Sequence, residues 1–535
     1  MTATALGTIH PLVRRLPLEP DPLGLYRALA DTPHTFLLES ADQVTGSGER
    51  SLIGVGTALH LATRSDRTTI TALSPNGRTA LDWLQTRVAT STRLAEVLTI
   101  PNLPSSGHPI EERTRFRRSS PLDLVRLLAF GPTLATRPNP WCHLLAGVIG
   151  YDAIDFFEDL PAGVPDPLDP PVIEFWLPER LVVVDHRLHS TLIVATAWGG
   201  PGTEVRQYDA ARALEHLIAA VRAWSPEPIE PLAPQPVDPS VATVDRDDHA
   251  FAATVRELLE EIRRGEVYQI VPSRTFRLPC DDPLAAYQQL RRRNPSPYLF
   301  FLRGPDRTLF GASPETCLRI DGPTRRATVV PIAGTAPRGV DAAGAPDSEA
   351  DRRNEVALRA DPKEQAEHLM LVDLARNDLA RICAPGTRQI TRLLAVERYA
   401  HVMHLVSEVS GTLRPEVDAL EAFAATMPMG TLVGAPKVRA AELLRLTEPS
   451  RRGSYGGGVG YLRDDGTLET AIVIRSAEVR DGVARVRAGA GVVLDSDPLA
   501  EAAETERKAR AVLEAIIAAE PVGAGGSPPG PVGHA

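Results

Sequence analysis

The β-rich runs of this chain come in adjacent pairs, and that constrains its fold more than any other feature. Residues 180–196 (RLVVVDHRLHSTLIVAT) place two branched aliphatic runs around a polar turn, the pattern of an antiparallel hairpin. Similar pairs occupy residues 299–310 and 459–474. Strands that arrive in hairpins, and do not alternate one by one with helices, predict an α+β fold with antiparallel sheets over a doubly wound α/β fold. Helices lie between them: over residues 249–264, Phe251, Val255, Leu258, Leu259 and Ile262 fall on one face.

At 535 residues the chain exceeds what one compact core organises. Residues 224–239 (WSPEPIEPLAPQPVDP) hold six prolines, which fix φ and remove backbone donors, so neither a helix nor an interior strand forms there. This divides the chain into an N-terminal region at 1–223, a proline-rich linker at 224–244 and a C-terminal region at 245–519. Residues 102–120 read as a surface loop, and the Gly/Pro-rich tail at 520–535 reads as disordered. A balance of 58 basic against 68 acidic residues argues against nucleic acid as a partner, since phosphate binding needs a basic surface. The cysteines Cys142, Cys280, Cys317 and Cys383 are too scattered for a zinc site or a disulfide framework. No apolar run approaches the roughly 18 residues of a membrane span, so a cytoplasmic location without membrane contact is expected.

Two acidic pairs could serve a metal. Glu364 and Glu367, within DPKEQAEHLMLVDLARND at 361–378, are three apart, so on a helix they share a face. Glu501 and Glu504 repeat that spacing, and Lys508 follows Glu504 by four. Two such helices can build an all-oxygen site of the kind Mg²⁺ takes, with waters and substrate oxygens completing it. On spacing alone, a solvated helix face with a Glu504–Lys508 pair is the commoner reading. Three glycine clusters, at 430–437 (GTLVGAPK), 453–461 (GSYGGGVGY) and 488–492 (AGAGV), match no nucleotide motif. They suit tight turns, or backbone N–H groups closing on an anion beside Arg475, whose fork can grip a carboxylate.

Taken together, GEVYQIVPSRTF (265–276), NPSPYLFF (294–301), FGASPE (310–315), PIAGT (331–335), KEQAEHLMLVDLARNDLARIC (363–383), RYAHVMHLVSEVSG (398–411), GTLVGAPKVRA (430–440), RRGSYGGGVGY (451–461), TAIVIRS (470–476) and AGAGVVLDSDPLAEAAETERKA (488–509) resemble, in order, the chorismate-utilising enzymes. The resemblance covers about 245–519. It implies large antiparallel sheets packed as a sandwich with helices outside. Ala333 stands where aminodeoxychorismate synthases usually carry lysine, and Gln269 stands where water-adding members carry the lysine that activates water. Both point to the large (component I) subunits of anthranilate synthases, which turn chorismate and ammonia into anthranilate and pyruvate for tryptophan synthesis. Aminodeoxychorismate synthase component I and a catalytically silent tryptophan-sensing subunit are the alternative readings.

The resemblance carries roles onto matching positions. Glu315 would protonate the departing hydroxyl, and His404 would take the proton in the lyase step, with Glu364 and Thr431 beside them. Glu367 and Glu504 would hold Mg²⁺, with Glu364 and Glu501 orienting its waters. Chorismate contacts would come from Gln269, Gly334, Thr335, Tyr455, Arg475, Gly489, Ala490, Gly491 and Lys508. Residues 35–40 (TFLLES) and 49–54 (ERSLIG) resemble the tryptophan-binding segment of feedback-inhibited members. That places the inhibitor against Leu38, Glu39, Ser40, Arg50, Pro297, Tyr298 and Leu299. The chain departs from the family's frequent pattern at Ser51–Leu52, where Tyr-Ser often follows arginine, and at Val433, where serine often precedes GAPK. None of the four cysteines lies in a Gly-x-Cys-x-Gly turn, so a separate glutamine amidotransferase subunit is expected to supply the ammonia.

Overall fold

The computed structural model describes residues 5–30, 32–40, 49–102, 116, 118–166, 169–226, 241–340, 347–399 and 402–519. Most of the proline-rich linker (227–240), most of the 102–120 loop and the 520–535 tail lie outside the described residues. The expected hairpins form: strand Ile173–Asp185 turns into Ser190–Trp198, Tyr298–Arg303 into Thr308–Ser313, and Gly458–Arg463 into Leu468–Ile472. Among the described residues, twenty-three strands join one hydrogen-bonded network. Among the described residues its one parallel pairing is a two-residue contact, Thr8–Ile9 with Thr133–Leu134. The fold is α+β, as the paired runs predict.

The network folds into two packed layers. One runs from strand Ser273–Pro279 through Val483–Gly489, Ser476–Arg480, Thr308–Ser313, Tyr298–Arg303 and Thr35–Glu39. The other runs from Leu144–Ile149 through Gly458–Arg463, Leu468–Ile472, Thr316–Asp321 and Arg326–Val329 to Val402–Thr412. Two long strands, Arg50–Thr63 and Ile173–Asp185, belong to both layers, and their pairing slips in register between Gly54 and Leu59 as they cross. Glycine is needed at that bend: a Cβ on Gly54 would sit 2.2 Å from the Phe36 ring.

Three apolar layers follow. Phe300, Leu302, Leu52 and Val183 meet Val148, Trp176 and Val459 between the sheets. Their chain neighbours Leu299, Phe301, Ile53 and Val182 point outward, onto Leu217, Ile218, Val221, Leu290, Leu513 and Ile516 of the covering helices. Because successive side chains alternate faces and both faces are covered, the run YLFFL ahead of the exposed Arg303 is apolar throughout and not alternating. Helices also cover the second sheet, through Trp83, Leu128, Leu379 and Phe423. Truncating such a buried aromatic costs about 3–5 kcal/mol. Among the described residues no helix is long and apolar enough to cross a membrane.

The helix expected over 249–264 spans Asp248–Arg263, capped by Asp247, with Phe251, Val255, Leu258 and Leu259 buried. The two helices that carry the acidic pairs begin alike. Asp361 caps Pro362–Ile382 and Asp497 caps Pro498–Ile517, each with proline in the first turn. An aspartate oxygen satisfies the free N–H groups and proline presets φ, so the helix starts, and hence the directions of Glu364, Glu367, Glu501 and Glu504, are fixed locally.

Candidate active site

Glu315 follows strand Thr308–Ser313 and is buried under the short helix Gly430–Val433. Burial pushes its carboxyl up to about 7, against the opposing pull of the Thr431 hydroxyl and the Arg475 and Lys508 charges. A carboxyl poised there can deliver a proton near neutrality.

Arg475 has a left-handed backbone, φ +50°, a conformation that costs a non-glycine residue about 1–3 kcal/mol. Its guanidinium makes no ion pair with a described residue, and burial lowers its pKa against the pull of Tyr455, Glu315 and Glu504. A partly buried cation without a counterion is suited to a bound anion. Beside it Tyr455 is buried, and its hydroxyl lies against Gly489, where a Cβ would approach within 3.1 Å. Gly489, Ala490 and Gly491 line the neighbouring turn, held by the bond from Ala490 N–H to the Pro272 carbonyl (3.1 Å). Gln269 abuts Gly491, and its Oε1 is buried without a partner among the described residues. Lys508 donates to the Gly489 carbonyl at 3.1 Å and pairs with Glu504 at 2.6 Å.

His404 lies on strand Val402–Thr412, opposite Thr335. Its Nδ1 is 3.1 Å from the Gly334 carbonyl and 3.0 Å from the Thr335 hydroxyl. A carbonyl only accepts, so Nδ1 carries the proton and Nε2 presents a lone pair in the neutral ring. Burial lowers the His404 pKa, which keeps the ring neutral and able to accept a proton.

The acidic pairs converge from their two helices. Burial raises Glu364 and Glu367, and the Glu504 charge raises both further; Glu501 is raised by burial and by Glu504. Glu504 alone is lowered: Lys508 outweighs its burial. Mutual repulsion of this kind is relieved by a divalent cation. Among the described residues no three potential ligands close around one point. Two carboxylates with waters and substrate oxygens is a set that Mg²⁺ accepts, so the residues fit such an ion.

A separate cavity of about 300 Å³ lies on the seam between strands Thr35–Glu39, Arg50–Thr63, Tyr298–Arg303 and Gly458–Arg463. It gathers Leu38, Glu39, Ser40, Arg50, Tyr298 and Leu299; Pro297 is not in its lining. Ser40 Oγ is buried without a partner among the described residues. Glu39 is engaged behind the wall by the Tyr287 hydroxyl (2.5 Å) and Arg291 (3.0 Å). The Tyr298 hydroxyl reaches Thr316, the residue after Glu315, at 2.9 Å. Sequence reasoning missed Arg319, Tyr461 and Glu469 in this lining. The alternation of the 459–474 hairpin held a signal for the last two, but nothing local shows which cavity its face meets.

A family model described as chorismate binding enzyme matches residues 101–514. The chain is 45% identical over 506 residues to anthranilate synthase component 1 of Salmonella typhimurium, covering 93% of this chain and 95% of the relative. It is 45% identical over 504 residues to the component 1 of Escherichia coli, with the same two shares of 93% and 95%. Among solved structures, anthranilate synthase component I from Streptococcus pneumoniae superposes with a TM-score of 0.68 at 29% identity, covering 87% of this chain and 92% of the other.

Proposed function

This chain belongs to the family of chorismate binding enzymes, and from that premise we propose that it is the ammonia-using, anthranilate-forming subunit of an anthranilate synthase. The observation that carries the reading is the convergence of a buried acid near neutrality, an unpaired arginine and a neutral histidine at one site. In this reading Arg475 and the Gly489–Gly491 backbone grip the carboxylates of chorismate, and Tyr455 and Lys508 bound the pocket. Ammonia adds at C2 as the C4 hydroxyl departs. Glu315 gives that hydroxyl its proton, so water leaves in place of hydroxide. The Nε2 of His404 then takes the C2 proton as the ring C–O bond breaks, the departing enolpyruvate takes up a proton on its methylene carbon to become pyruvate, and the ring becomes aromatic. Glu367 and Glu504 would hold Mg²⁺, with Glu364 and Glu501 orienting its waters, and the bound ion would offer positive charge to the ring carboxylate. Gln269 cannot act as a base toward water; ammonia, already a nucleophile, needs none.

A glutamine amidotransferase subunit supplies ammonia along a shielded route, which keeps it unprotonated. The seam cavity takes L-tryptophan: its apolar wall suits the indole, while Ser40 and Arg50 offer polar contacts. The division at the proline-rich linker, with an inhibitor-binding region at 1–223 and a catalytic region at 245–519, is part of this reading. The test is purified chain with chorismate, Mg²⁺ and ammonium salt, followed by anthranilate fluorescence. A signal abolished by EDTA and absent when glutamine replaces ammonium is expected. Chorismate consumed without anthranilate would refute the reading in favour of aminodeoxychorismate chemistry, and no consumption in favour of a silent sensor.

A further inference from the structure

Behind the substrate walls lies a buried ionic cluster that the chemistry above does not use. Glu448, the residue closing helix Lys437–Thr447, is 7% exposed. Its Oε1 accepts from the N–H and hydroxyl of Ser273 (2.9 and 2.7 Å) and from Arg452 (2.6 Å). Its Oε2 accepts from Arg452 Nε and from Arg487, each at 2.9 Å. Burial would raise the Glu448 carboxyl, but the two guanidinium groups more than offset it and hold it below its ordinary value. A cluster this deep is weak evidence for stability, because desolvating three charges costs about what their attraction returns. Its geometry says more.

Arg452 uses the donors left over from Glu448 on two backbone carbonyls, Leu432 and Val271, each at 2.6 Å. Leu432 follows Thr431; Val271 is two residues from Gln269. Its own carbonyl accepts from Tyr455 N–H (3.1 Å), and its guanidinium lies 5.9 Å from the centre of the Tyr455 ring. Arg487, on strand Val483–Gly489, carries the same cluster to the Gly489 turn. One guanidinium thus joins segments separated by up to 181 residues that each present a substrate-facing group.

We propose that Arg452 is a positioning residue for the reaction: through its fork it sets Gln269, Thr431 and Tyr455 relative to one another, with Glu448 and Arg487 as its anchor. The proposal rests on the reading under the previous heading, and on no contact between Arg452 and substrate. Planar donors on both edges are needed; a lysine keeps the charge that Glu448 requires but cannot reach both oxygens and two carbonyls at once.

The test is Arg452→Lys, with Thr431→Ala and the double variant beside it. For the folded protein, kcat/KM with ammonium is expected to fall on the order of 10- to 100-fold, mostly in kcat, because a misplacement near 1 Å costs that much. Combined with Thr431→Ala, the loss should be smaller than the product of the single losses. Amide exchange by mass spectrometry should show lost protection at 269–273, 430–433 and 453–456 together, ahead of the remaining core. Strictly multiplicative losses, or unchanged exchange in those segments, would overturn the positioning role. If the wild-type chain forms no anthranilate, the reaction assigned above fails, while the exchange experiment still decides whether Arg452 holds the three segments.

Discussion

Replacing Glu315 by glutamine separates the buried acid's charge from its shape. In the folded chain the Glu315 carboxyl sits at about 7, against 4.5 for an ordinary glutamate, because burial disfavours its charged form. The folded pKa lies above the unfolded one, so the favourable contribution is complete below about 4.5 and is lost as pH rises through about 7. A shift of that size corresponds to about 3 kcal/mol at 1.36 kcal/mol per unit. Glutamine does not titrate, so Glu315→Gln should gain on the wild type by most of that about 3 kcal/mol between pH 5 and pH 8. Urea unfolding of both proteins at several pH values reads the gap directly. The same variant should lose anthranilate formation by roughly 10²- to 10⁴-fold, the usual worth of a positioned acid. A stability gap that stays constant from pH 5 to pH 8 would show that Glu315 is not a desolvated titrating group, and the argument for it as proton donor would go with it.

His404→Ala should let chorismate be consumed while an amino intermediate, detected by chromatography and mass, accumulates in place of anthranilate; undiminished anthranilate would remove His404 from the lyase step. Gly434→Ala forces a side chain onto φ +116° with its Cβ 2.1 Å from the Gln269 carbonyl oxygen. That should cost about 1–3 kcal/mol in urea unfolding and raise KM for chorismate as Gln269 is displaced; an unchanged midpoint would contradict the geometry. Ser40→Ala removes a buried hydroxyl that lacks a partner among the described residues, so tryptophan affinity measured by calorimetry should fall by about fivefold to tenfold, the worth of one hydrogen bond. Unaltered affinity would place tryptophan elsewhere.

The local parts of this architecture were readable from residue order. Hairpin spacing marked the three strand pairs, and the Phe251–Val255–Leu258 stripe marked a helix, because each rests on neighbours within a few residues. The resemblance supplied the site, and the structure brings six of its seven expected inhibitor contacts to one cavity. What stayed hidden depends on distant partners. Nothing near Leu144–Ile149 states that it pairs with Gly458–Arg463, and nothing near Glu448 states that two arginines will close on it. Arg452 stood inside a recognised motif and still gave no hint of its carbonyl partners, since a buried guanidinium and a surface one look alike in sequence.

The strand pairings that reach across the proline-rich segment also bear on how such a chain can be recombined with its relatives. Thr35–Glu39 is zipped to Tyr298–Arg303 and Leu144–Ile149 to Gly458–Arg463, so the halves on either side of the proline-rich segment are interleaved and not stacked. A chimera joined at that segment inherits one parent's ladder partners with the other's register. Side chains facing the core alternate with a period of two, so a single-residue slip would turn a whole strand inside out. Successful exchanges should therefore follow blocks of paired strands, even where those blocks are scattered along the chain.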